Sequence, residues 1–385
     1  MGSKTARERV ATGEAWEEFC ERLKDAGKLI LRPGTPMNEL DRAEGLRYLS
    51  RLTRMALEVC FENSDPDFPT LLNIPNATAK AGADNPDNLY FTAPVAGDRE
   101  YRLTGTRGTV RWLSFGTKAF LAGADGQPVS TPTGSLDGRD LLVAPDGSFE
   151  IAVSLEPRPG NWLPLQPRSN VLVVRQTFLD RHRETAAEVT IERVTAAGKP
   201  TPLSAKRAQW ALQSAVHVAT RIARRYVEWA QWYQRFPNTL RTIEGSPLRE
   251  EGADPNIGYL YGYWSIGADE ALVVETPVPE CEVWNFQINN YWMESLDYRY
   301  HRISLNKGSA RYNRDGSVTV IVAASDPGSG NFLDTAGHRC GTMVWRWTRA
   351  QHHPVPICRV VKLASLRGTR AVPDEESTVP AGDNR

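Results

Sequence analysis

From Tyr90 to about Val194 the chain is divided into short β-prone runs, YRLTGTRGTVRWLSF, DLLVAP, FEIAVSL, NVLVVRQTF and AEVTIERV, separated by Gly, Pro, Asp and Asn. Nothing else in the sequence limits the fold as much. Runs this short and this regularly punctuated suit an antiparallel sandwich or barrel, not the strand–helix–strand units of a parallel sheet. The pattern breaks over residues 203 to 236, where Ala208, Ala211, Ala215, Ala219, Ile222, Tyr226, Trp229 and Tyr233 recur every three or four positions, with Ser204 as a cap and Pro237 as the stop. That predicts one helix of roughly 50 Å, long enough to brace two lobes. Strands then resume at EALVVETPVP, CEVWNFQINNYW, GTMVWRWTR and ICRVVKL.

The first 82 residues read as helical. Trp16, Phe19, Leu23 and Ala26 have helical spacing, with Thr12 as the expected N-cap and Gly27 as the C-cap; a second helix begins near Asn38 and runs through Leu46, Leu49, Leu52, Ala56 and Val59 to the breaker ENSDPDFP. Single cores rarely grow beyond roughly 250 to 300 residues, so a chain of 385 is expected to form two β lobes. The predicted class is mainly β. Antiparallel β-sandwich or jelly-roll lobes are expected at 83–200 and 241–368, with a helical segment at 1–82, the bracing helix within 201–240, and a disordered tail at 369–385.

Lys plus Arg and Asp plus Glu each total 46, so no global basic field draws the chain to nucleic acid or an acidic membrane. The charged start MGSKTARERV and the lack of any run of about 18 apolar residues predict a cytoplasmic protein without a membrane span. The five cysteines are scattered with no CxxC pair, and the six histidines form no HExxH pattern, so no metal site is expected. GxGxxG after a strand, GxxxxGK[ST] and GxSxG are also missing, and no cofactor is expected.

Candidate chemistry lies in four stretches. In ADNPDNLYFTAP, Asp84, Asp87 and Asn88 suit an Asx turn, a cation loop, or a pocket entrance shared with Tyr90. Asn161 and Trp162 pair an amide with an aromatic face in a proline-stiffened loop, and Arg175 ends a strand pointing either to a cavity or to water. In CEVWNFQINNYW, a strand would put Trp284, Phe286 and Ile288 on one face and Asn285, Gln287 and Asn289 on the other, which is either a binding wall or a solvated face. Beyond it, Tyr298 with His301 offers an acid–base pair or an exposed edge, and Asp334, His338 and Arg339 cluster near a loop.

Taken in order, DNPDNLYFTAPVAGDREYRLTGTRGT, GNWLPLQPRSNVLVVRQTF, WNFQINNYWMESLDYR and NFLDTAGHRCGTMVWRW resemble bacterial proteins carrying the domain of unknown function 1214, over roughly residues 84 to 350. The resemblance implies a sandwich or jelly roll and no particular reaction. The functional expectation is a cofactor-independent enzyme acting on a small hydroxylated or cyclic molecule. Asp87, Tyr298, His301 and His338 would transfer protons, while Asn88, Tyr90, Asn161, Trp162, Arg175, Trp284, Asn285, Gln287, Asn289 and Arg339 would position the substrate. The alternative is a binding sandwich without catalysis in which Trp162, Trp284 and Trp292 stack on a carbohydrate. The expected partner is a small molecule, with no nucleic acid and no membrane; homo-oligomerisation is left open.

Overall fold

The computed structural model describes residues 4–122, 128–195, 198–242, 254 and 256–366, so the expected tail at 369–385 lies outside the described residues. The first lobe contains β1 (Asn88–Pro94), β2 (Tyr101–Thr106), β3 (Trp112–Ala122), β4 (Pro128–Asp137), β5 (Ser148–Ser154), β6 (Trp162–Pro164), β7 (Val171–Thr177) and β8 (Glu188–Arg193). These form two four-stranded sheets, β1-β7-β3-β4 and β6-β5-β2-β8, antiparallel apart from the short β5–β6 pair. Alternate residues such as Leu103, Ile151, Val153, Leu172 and Val174 are fully buried between the sheets. Period-two alternation is the cause: every second side chain of a strand points to the same face.

The second lobe comprises β9 (Thr239–Thr242), β10 (Ile257–Ser265), β11 (Glu270–Thr276), β12 (Val283–Ile288), β13 (Ser304–Asn306), β14 (Val318–Ala323), β15 (Phe332–Asp334), β16 (Cys340–Thr348) and β17 (Ile357–Lys362). Its sheets are β10-β16-β12-β13 and β15-β14-β11-β17. Trp284 stacks on Trp345 at 4.9 Å, and Trp345 lies 5.2 Å from Trp347, so the inner face of β12 and β16 is an aromatic slab. The described residues are mainly β, as the strand pattern predicts, and of the sandwich and barrel it allows they form two sandwiches and no barrel.

A helical layer covers the second lobe. The first helix, α1 (Ala6–Ala11), is closed by a reciprocal Thr5–Glu8 capping box that the sequence reading missed. Thr12 ends α1 and does not begin the next helix, because Gly13, at φ +82°, takes the left-handed conformation that joins α1 to α2 (Glu14–Gly27). The third, α3 (Glu39–Leu57), begins at Asn38, whose side chain accepts from Asp41 N at 2.9 Å. The long helix α4 (Ala205–Tyr233) starts at the expected Ser204 cap and ends one turn before Pro237. Its small buried stripe of Ala211, Ala215, Ala219, Ala223 and Ala230 lets it pack on α2 and α3 and against β10 and β16. It therefore braces the helical layer to the second lobe, and the strands of the first lobe are not among its main packing partners. A short helix, α5 (Leu363–Leu366), follows β17. No helix among the described residues is long and apolar enough to cross a membrane.

Candidate functional site

The outer face of sheet β1-β7-β3 meets the outer face of sheet β10-β16-β12. Residues in direct cross-strand register share a face, so each sheet contributes rows of side chains. In the first lobe Asn88, Thr177 and Trp112 form one row, and Tyr90, Arg175 and Ser114 the next. In the second lobe the rows are Ile257, Thr348 and Val283, then Tyr259, Arg346 and Asn285. Eleven of these twelve residues, Ser114 being the exception, line a cleft with about 20 Å³ of free space, joined by Asn85 from the preceding loop. Trp112, Thr177, Asn285, Arg346 and Thr348 are buried and make the floor, whereas Asn88, Tyr90, Arg175 and Tyr259 are half-buried and make the rim.

Arg346 organises the floor. Its guanidinium donates to Asn285 Oδ1 at 2.9 Å, to Gln287 Oε1 at 2.6 Å and to the carbonyl of Ala83. Gln287 in turn donates to the Asp84 carbonyl at 2.9 Å and to Asn289 Oδ1 at 2.6 Å. Residues 79–88 thus lie as an irregular strap over the polar face of β12 and β16, and the strap leads directly into β1. That face is neither open to solvent nor an open binding wall: Asn285, Gln287 and Asn289 are 0–2% exposed.

Carboxylates in the strap are held by this second-lobe face. Asp87 accepts from Asn285 Nδ2 at 2.8 Å, and burial pushes its pKa up to about 6 against the opposing pull of Asn306, Asn285, Arg181 and Arg346. Arg181 ties the same turn from the other side, donating to the carbonyls of Pro86 and Asn88 at 2.8 and 2.7 Å. Asp84 accepts from Ser295 N at 3.0 Å and Ser295 Oγ at 2.7 Å; burial raises its pKa, with Lys80 opposing. Lys80 donates to the carbonyls of Ser295 and Leu296 and lies 4.6 Å from the Tyr298 ring, and burial lowers its pKa. Farther along, Glu294 is fully buried against Arg51 at 2.9 Å, and burial pushes it up to about 7.

The structure brings Asp87, Asn88, Tyr90, Arg175 and Asn285 together, with Gln287 and Asn289 continuing the same wall and Tyr298 at its edge beside Lys80. The other candidates lie elsewhere. Trp284 is a core residue of the second lobe at 0% exposed and Trp292 is buried under the helices with its Nε1 donating to the Asp41 carbonyl, so neither offers a stacking surface. Asn161 clamps a turn by bonding Leu142 and Glu150, and Trp162 donates to Ser154, both at the far sheet of the first lobe. His301 pairs with Asp334 at 2.7 Å on the surface, His338 pairs with Asp41 at 2.8 Å beneath α3, and Arg339 is exposed. The four residues expected to transfer protons therefore do not form one constellation.

Sequence reasoning missed Arg346, Thr177, Trp112 and Tyr259. Arg346 carried a readable signal, since a lone charge alternating with Trp345 and Trp347 in a strand must face away from the tryptophans. Its pairing with Asn285 needed the register. The cation reading of Asp84, Asp87 and Asn88 is not favoured, because both Asp84 oxygens accept from Ser295 and Asp87 accepts from Asn285, so the carboxylates are engaged by protein donors. Among the described residues no group of three His, Cys, Asp or Glu side chains is placed to hold a metal.

The family DUF1214, described as proteins of unknown function, matches residues 91–178 and 267–351. The match comes in two segments, one in each sandwich, and omits the stretch containing β8, α4, β9 and β10, the same stretch that the four sequence motifs leave unmatched. The solved structure of an uncharacterised protein from Burkholderia cenocepacia is 50% identical, covers 94% of this chain and 100% of that chain, and superposes with a TM-score of 0.89. The VPA0106 protein from Vibrio parahaemolyticus is 12% identical, covers 83% of this chain and 98% of that chain, and reaches a TM-score of 0.46, too low to carry an argument. No curated protein matches. On the two matched segments and the full-length likeness to the Burkholderia structure, the chain belongs to the DUF1214 family.

Proposed function

We propose that this protein holds a small, neutral, polar molecule in the cleft between its two sandwiches. The observation that carries the reading is the convergence of hydrogen-bonding side chains from six strands of two lobes on one small space with a buried floor and a half-buried rim. Ligand sites favour such concave positions between lobes. The resting space of about 20 Å³ takes one water-sized group, and the rest of the ligand lies along the rim formed by Tyr90, Arg175 and Tyr259. Binding is favoured over catalysis because none of Asp87, Tyr298, His301 and His338 lines the cleft. The five unpaired cysteines fit a reducing compartment, and we infer the cytoplasm.

The test is a thermal-shift screen of the full chain against small neutral polar compounds, repeated on Tyr90→Phe and Asn285→Leu. A ligand at a hundredfold its Kd stabilises by about 2.7 kcal/mol, a readily measured shift. The reading requires at least one compound whose shift disappears in both variants. Shifts that persist in the variants, or no shift at all, would sink it.

Asp87 favours a second reading. A carboxyl brought to about 6 and standing one hydrogen bond behind the cleft wall suits general acid or base work on a cofactor-independent substrate. Turnover of a compound found in the screen, lost in Asp87→Asn and following a pH profile with a limb near 6, would establish it; unchanged turnover in that variant would exclude it.

A further inference from the structure

Among the described residues, three buried polar atoms that line the cleft have no hydrogen-bond partner: Asn88 Oδ1, Trp112 Nε1 and Thr177 Oγ1. They also belong to direct cross-strand neighbours, one on each of β1, β3 and β7, so the three side chains leave the same face of the sheet side by side, and all three residues line the same space. Trp112 and Thr177 are 2% and 3% exposed. Buried polar groups are almost always paired, and three orphans in one row therefore mark a place for something the protein binds.

Their chemistry selects the occupant. An indole N–H only donates, an amide oxygen only accepts, and a threonine hydroxyl does either. An anion placed here would face the Asn88 amide oxygen, and a cation would face the Trp112 N–H. A neutral group that both accepts and donates satisfies all three, and the available space is the size of one such group. Ile257 and Val283 from the second lobe line the same space and supply apolar contact.

We propose that Asn88, Thr177 and Trp112 form a hydroxyl subsite, filled by one ordered water in the resting protein and by the hydroxyl of a small neutral alcohol in the ligand-bound one. This rests on reading the cleft as a ligand site, and it names the class of ligand. Crystals of the full chain grown without alcohol, at a resolution that shows ordered water, should contain a single density peak within hydrogen-bond distance of all three atoms. The same crystals soaked in methanol should show that peak extended by a methyl group towards Ile257 or Val283, and Thr177→Val crystals should show it weakened or lost. An empty space, or the three side chains turned into bonds with one another, overturns the subsite. A water that methanol never displaces overturns the alcohol exchange. Neither result decides the compound screen, and a failed screen with methanol bound would reject the wider ligand reading while the subsite stands.

Discussion

Replacing Arg346 by Met removes the guanidinium through which β16 bonds both β12 and the strap. The variant keeps most of the aliphatic volume but leaves Asn285 Oδ1, Gln287 Oε1 and the Ala83 carbonyl without their donor. Each buried acceptor stranded in this way costs about 1–3 kcal/mol. Three of them give an upper range of about 9 kcal/mol, and water admitted through the half-buried rim lowers the expected loss to about 3–5 kcal/mol, the usual result of breaking a buried charged network. Urea unfolding followed by tryptophan fluorescence measures it, since Trp284 and Trp345 in the adjoining core report the second lobe. Arg346→Lys should recover less than half of the loss, because one ammonium lacks the planar fork that reaches three acceptors. A loss below about 1 kcal/mol for Arg346→Met would refute the reasoning, as the seam would then be hydrated and the strap held by something else.

Stability should fall as pH rises from about 4 to 6, because the folded chain retains on Asp87 a proton that the unfolded chain releases near 3.8; Asp87→Asn should flatten that slope in pH-dependent urea titrations, and an unchanged slope would contradict the burial argument. Glu294, raised from 4.5 to about 7, extends the same trend towards neutrality, and Glu294→Gln should remove the upper part of it. Trp284→Ala should cost about 3–5 kcal/mol through loss of its stack on Trp345 while leaving ligand-induced shifts intact at temperatures where it stays folded; selective loss of binding would restore the stacking role. His301→Ala should change stability by less than about 1 kcal/mol, since its pair with Asp334 is solvent-exposed, and a larger loss by urea unfolding would show that the pair supports more than itself.

Periodicity made much of the architecture legible. Alternation located most strands of both sandwiches, but it read DLLVAP as a run where residues 141–144 form no strand and it passed over β4 and β10; the Ala-rich repeat and Ser204 located α4, and Asn38 located the start of α3. Local signals were less reliable where neighbouring elements compete for one residue: Thr12 suits an N-cap by type, but the left-handed Gly13 assigns it to the end of α1. The site was only half legible. Asp87, Asn88, Tyr90, Arg175 and Asn285 meet, whereas residues selected for their chemistry alone were spent on structure, Asn161 on a turn, His338 on Asp41 and Trp284 on the core.

What the sequence by itself determined is that β12 has two unlike faces, Trp284, Phe286 and Ile288 opposed to Asn285, Gln287 and Asn289, because side chains in a strand alternate whatever surrounds them. Only the tertiary structure decided what covers the polar face. The strap at 79–88 and the row Asn88, Thr177 and Trp112 come from about 100 to 200 residues upstream, and cross-strand register sets which of their atoms find partners. Alternation is a property of one strand, whereas a cleft is a relation between two sheets, and that relation is set by long-range packing.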